Sequence, residues 1–152
     1  HNDSGFLTAL AGDIYINHDT GEILPESPDP SSGLYVINRD KQVVQIRIPA
    51  DCLAIQMGEC VQIQCGGLLH ATPHCVRGAS VPGVARISLP CFIDPTPTYP
   101  LAMPPGCSRE EVLQETSRVP PLGKRWTENG MTYGDFLNNS IAMYYDWKDD
   151  AE

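Results

Sequence analysis

Val43-Val44-Gln45-Ile46-Arg47-Ile48, followed by the turn residues Pro49-Ala50-Asp51, is the stretch that sets the fold class. Val43, Gln45 and Arg47 alternate with Val44, Ile46 and Ile48, the period of a strand with one face toward a core. Similar short apolar stretches flank it: Leu34 to Asn38, Cys52 to Met57, Leu68 to Val76 and Val84 to Ile93. Arg39-Asp40-Lys41, Gly66-Gly67 and Pro82-Gly83 separate them as turns. Upstream, Gly5 to Ile16 reads as a strand pair or one long bent strand, and Asn17 to Gly33 as an extended loop. Many short strands at this spacing indicate an all-β sandwich or barrel rather than a βαβ fold.

After Asp94 the texture changes. Pro95 to Pro105 holds five prolines and reads as an extended surface connection. Ser108-Arg109-Glu110-Glu111 has the form of a capping box opening a short helix through about Glu115. A second helix starts near Thr132-Tyr133-Gly134-Asp135, with Phe136, Leu137, Ile141, Tyr144 and Tyr145 as a stripe expected to pack against the barrel. The expected organisation is an all-β core over residues 1–107 and a C-terminal helical extension over 108–152, with one or two helices.

A chain of 152 residues with 41% apolar content has the length of one domain. The net charge of -9 argues against a nucleic-acid partner, because a phosphate-binding surface needs clustered Lys and Arg. No apolar run approaches the roughly 20 residues that span a bilayer, so no membrane partner is expected. The six cysteines form no C-x-x-C pair. With Cys52, Cys75 and Cys91 in strand-like runs, the expectation is reduced core thiols in a cytoplasmic protein.

The chemistry lies in His1-Asn2-Asp3 and Ala71-Thr72-Pro73-His74. On a strand His1 and Asp3 share a face, as do Thr72 and His74. Two imidazoles and one carboxylate suit Fe(II) and leave open positions for substrate and oxygen. By itself, His74 reads more readily as a satisfied core histidine. Arg86 and Ser88 share a face in the run Val84 to Ile93, and a guanidinium beside a hydroxyl suits a carboxylate ligand. An arginine within an apolar strand needs an anion, and the sequence shows no obvious local acid for an internal pair. His70, four residues before His74, is an alternative ligand if the strand bulges; His18, in the polar loop, is expected to be exposed.

From His1 to Trp147 the ordered set resembles the C-terminal part of the 2-oxoglutarate and Fe(II)-dependent dioxygenases, in the plant-type branch that includes isopenicillin N synthase. The set is His1-Asn2-Asp3, Gly5 to Leu10, Gly33-Leu34-Tyr35-Val36, Gly66-Gly67-Leu68, Ala71-Thr72-Pro73-His74 and Arg86-Ile87-Ser88-Leu89-Pro90-Cys91-Phe92. The resemblance implies a cupin-like jelly roll, the double-stranded β-helix, with iron on His1, Asp3 and His74. It implies that Arg86 and Ser88 bind the distal carboxylate of 2-oxoglutarate, that O2 is consumed with a small-molecule substrate, and that ascorbate is a further candidate cofactor. The family has a long region before its H-x-D, so the chain reads as the downstream piece of something longer. Other readings are a 2-oxoglutarate-independent Fe(II) oxidase of the same fold and a catalytically silent β-sandwich binding module. A last one takes His1 as a mature N-terminus chelating copper, as in secreted polysaccharide monooxygenases.

Overall fold

The alternation from Val43 does form a strand, β5 (Val43–Ile46), antiparallel to β4 (Gly33–Ile37) with Leu34 opposite Ile46 and Ile37 opposite Val43. The structure, a computed structural model, describes residues 1–114 and 119–146. Asn38 closes the β4–β5 turn through its side chain, which accepts a hydrogen bond from the Gln42 amide at 2.8 Å. β4 pairs on its other edge with β7 (His74–Arg77), giving a sheet in the order β5-β4-β7. A second sheet places β2 (Ile14–Asn17) between β3 (Ile23–Leu24) and β8 (Val84–Ile87), both antiparallel to it. These two sheets belong to one compact unit, made of residues Ala9–Ile55 and His74–Cys91.

The other unit contains His1–Thr8, Gln56–Pro73 and the chain from Phe92 onward. Its helices are α1 (Glu59–Gln64), α2 (Arg109–Val112), α3 (Leu122–Arg125) and α4 (Tyr133–Asp146). Two short strands, β10 (Pro100–Leu101) and β11 (Met131–Thr132), pair antiparallel. The remaining sheet runs β6 (Ala54–Met57), β1 (Leu7–Leu10), β9 (Cys91–Ile93). The outcome is β-rich, with small sheets, three helices of four to six residues and the 14-residue α4 among the described residues. Among the described residues no helix is long and apolar enough to cross a membrane.

The hydrophobic core lies among the helices. Cys60, Ile63, Leu101, Val112, Leu122, Trp126, Met131, Tyr133 and Phe136 form one buried cluster. Burying a side chain such as Phe136 contributes about 1.5–3 kcal/mol, and the Trp126 indole keeps its N–H satisfied by donating to the Leu101 carbonyl at 3.0 Å. The sheets bury less than the alternation suggests: Val43 and Val44 are both exposed. The α4 stripe also divides, with Phe136 fully buried and Ile141 and Tyr145 exposed.

Several strands differ from expectation for local reasons. Gly5 to Ile16 yields two strands in different sheets, and the expected Asn17 to Gly33 loop contains β3. Asn17 Oδ1 accepts from the amides of Asp19 and Thr20, and Gly21 adopts φ 73°, which together fold the chain back onto β2. Leu68 to Val76 is a strand only from His74. The Leu69 amide donates to the Cys65 thiol, the Ala71 amide to Gln62 Oε1, and Pro73 has no N–H, so no ladder forms earlier. Val84 to Ile93 breaks into β8 and β9, because Pro90 removes a donor and restricts Leu89.

The thiols also depart from expectation. Cys52, Cys75 and Cys91 are exposed, not core residues. The buried cysteine is Cys60 on α1, donating to the Ser4 carbonyl at 3.0 Å. Burial, with the charges of Glu59 and Asp94, pushes its thiol well above the usual range. On α2 the expected capping box is present, with Ser108 Oγ accepting from the Glu111 amide and the Glu111 carboxylate from the Ser108 amide. Glu115, its expected end, lies outside the described residues, as does Trp147.

Candidate metal centre

The first turn of α1 fixes the His1-Asn2-Asp3 segment. A helix start leaves amide donors without intrahelical partners. Here the Glu59 amide donates to the Asp3 carbonyl at 2.8 Å and the Cys60 amide to the Gly5 carbonyl at 3.2 Å. Gly58 permits the approach, since a Cβ there would lie 2.1 Å from the Gly5 carbonyl oxygen. The side chain of Asn2 donates to Glu59 Oε1 at 3.1 Å, and its amide donates to the Tyr144 hydroxyl at 2.9 Å. Burial raises the Tyr144 phenol above its usual value, so the hydroxyl stays neutral.

Glu59 is itself held by Arg125. The two side chains are 1% and 0% exposed and form a bidentate pair at 2.5 and 2.6 Å. Arg125 also donates to the Pro120 carbonyl and to Ser140 Oγ, so this buried charge is extensively hydrogen-bonded. Removing one partner of such a pair costs about 3–5 kcal/mol, enough to fix the geometry around Asn2. Neither Glu59 nor Arg125 stood out in the sequence, because the acid and its base are far apart along the chain and each sits in an ordinary polar context.

Asp3 is buried, and its carboxylate divides its work. Oδ2 accepts from Thr8 Oγ1 at 2.5 Å and from Gln56 Nε2 at 2.8 Å. Oδ1 lies 3.5 Å from His1 Nε2. His1 is exposed and meets the Tyr144 ring edge-on, with centroids 6.4 Å apart. His1 and Asp3 thus lie close together, but before β1 begins at Leu7 and not on a strand face as expected, with Thr8 and Gln56 as unanticipated supports.

In the other unit His74 opens β7, half-buried and opposite Val36 on β4. Arg86 lies on β8 opposite Tyr15 on β2. The acid that the sequence did not reveal is Asp13, whose Oδ2 is 2.8 Å from Arg86 Nε. Tyr15 places its hydroxyl 3.5 Å from that same Oδ2 and 3.1 Å from Ser32 Oγ. Ser88 falls beyond the end of β8 and is exposed, so the strand face it was expected to share with Arg86 ends before it. His70 lies outside any strand, which removes the face it was to share with His74. His18 is exposed, as expected, 3.4 Å from Asp19.

No protein-family model matches the sequence, and no curated protein matches it. Solved structures do. A Caulobacter crescentus protein assigned to the 2OG-Fe(II) oxygenase family aligns with a TM-score of 0.59 and 22% identity, over 95% of this chain and 39% of that one. A full-length Neurospora crassa protein, solved in complex with alpha-KG and thymine, aligns with a TM-score of 0.60 and 17% identity, over 95% of this chain and 36% of that one. The chain spans less than two fifths of either protein. At these identities the likeness is one of fold alone: this chain folds like a part of each of those two proteins.

Proposed function

We propose that this chain is the C-terminal catalytic part of an Fe(II)- and 2-oxoglutarate-dependent oxygenase, cytoplasmic and of the isopenicillin N synthase-like, plant-type branch. In this reading the strands form a double-stranded β-helix, His1, Asp3 and His74 hold the iron, and Arg86 and Ser88 receive the distal carboxylate of 2-oxoglutarate. The observation that carries it is the Asp3 carboxylate, with one oxygen saturated by Thr8 and Gln56 and the other beside the His1 imidazole. By its chemistry alone, a set of two imidazoles and a carboxylate suits a ferrous ion. Outer partners that fix a ligating carboxylate are a regular part of such sites.

Bound iron, with O2 and 2-oxoglutarate, supplies the oxidising chemistry, releasing succinate and carbon dioxide as a small organic substrate is oxidised. The protein's part is positional. Thr8 and Gln56 fix the Asp3 rotamer; Glu59, Asn2 and Tyr144 hold the backbone between His1 and Asp3; Arg86 supplies a cation for the cosubstrate.

A second reading is a 2-oxoglutarate-independent Fe(II) oxidase or a catalytically silent fragment of the same fold. The Asp13–Arg86 contact and the position of Ser88 beyond β8 favour it. The test is 2-oxoglutarate binding and succinate formation by the Fe(II)-loaded chain. The proposal expects Arg86→Ala to weaken 2-oxoglutarate binding roughly tenfold or more, with metal affinity held. Metal binding with no measurable 2-oxoglutarate binding would support the second reading.

A further inference from the structure

We infer that Asp13 sets the affinity of the anion site: it neutralises Arg86 internally and thereby weakens the grip on every dicarboxylate, cosubstrate and product alike. The inference rests on the proposed role of Arg86. The Asp13 and Arg86 side chains are 17% and 27% exposed, so their 2.8 Å contact is only partly screened. The contact is made through Nε, which is buried yet makes no aligned hydrogen bond. The attraction is therefore mainly that of charge for charge. Nη1 and Nη2 make no hydrogen bond to any described residue of the chain, which leaves that edge of the guanidinium for a carboxylate.

Charge arithmetic gives the consequence. The Asp13 carboxylate cancels the Arg86 charge, so a dicarboxylate meets a neutral pair rather than a lone cation. A carboxylate docking on the Nη edge lies within several ångströms of the Asp13 carboxylate and is repelled by it. At the effective dielectric of a half-buried site that repulsion amounts to roughly tenfold in affinity.

The experiment measures binding of 2-oxoglutarate and of succinate to the Mn(II)-loaded chain by calorimetry. Asp13→Asn keeps the shape and removes the charge; Asp13→Ser is the second variant should the first fail to fold. Asp19→Asn, at an 86% exposed carboxylate 3.4 Å from exposed His18, controls for net charge alone. The expected result is roughly tenfold tighter binding of both ligands to the Asp13 variants, with Asp19→Asn within about twofold of the parent. Unchanged or weaker binding in the Asp13 variants would overturn the inference while leaving the oxygenase proposal standing. Binding that survives Arg86→Ala undiminished would instead remove the proposal beneath it.

Discussion

Asp3 shows how much of a proposed metal ligand's geometry is decided by neighbours outside the donor set. Its Oδ2 is engaged by Thr8 and Gln56, so the carboxylate cannot rotate without losing two hydrogen bonds in a buried place. Thr8→Val keeps the volume and β-branching and removes one of them. We expect divalent-metal affinity to fall roughly 10- to 100-fold, with a loss of stability of about 1–3 kcal/mol for the buried bond removed, read by metal titration alongside thermal unfolding. An unchanged affinity would mean that the hydroxyl does not orient the ligand. The H-x-D pair stood out in the sequence because few residue types serve as metal ligands, which makes such a pair a candidate on chemistry alone. Thr8, Gln56 and Glu59 did not, since hydroxyl, amide and acid side chains occur everywhere and only folding gives them partners. Asp13 was missed for the same reason, pairing with an arginine on a different strand.

At the scale of elements, strand alternation and capping signals were readable, and strand ends were not. β4, β5, β6 and the Ser108 capping box fall where the sequence places them, near enough. β7 and β8–β9 were overestimated because side chains and prolines removed amide donors from the ladders. The segment Ser27 to Ser32 is likewise ordered by side chains rather than by a strand. Asp29 accepts from Ser31 Oγ at 2.6 Å, the Ser31 amide at 2.9 Å and the Ser80 amide at 2.8 Å. Those bonds, the Ser31 hydroxyl foremost, hold its carboxyl well below the usual carboxylate range. A depressed folded value means the stabilisation is present above the ordinary value of about 3.9 and is lost as pH falls below it. The parent should therefore lose more stability between pH 5 and pH 3 than Asp29→Asn does, by urea unfolding at each pH. Equal losses would show that these bonds contribute nothing to the pH dependence.

For the molecule as a whole, the class was legible and the location of its core was not. Alternating short strands gave a β-rich chain, as the sheets show. Yet the buried cluster is built by α1 to α4 with β10 and β11, where Trp126 and Phe136 are fully buried. Sequence period reports which face of a strand is apolar, not whether anything covers it; Ile23, Val43, Ile55 and Phe92 are all more than half exposed. The α3 turn carrying Arg125 gave no periodic signal, being four residues long. The central claim remains that His1, Asp3 and His74 share one ferrous ion, and it is tested most directly by titrating the metal-free chain with Co(II) as a spectroscopic substitute. The account predicts one bound equivalent, lost in Asp3→Ala and in His74→Ala and kept in His70→Ala. Full binding by His74→Ala, or its loss in His70→Ala alone, would contradict it.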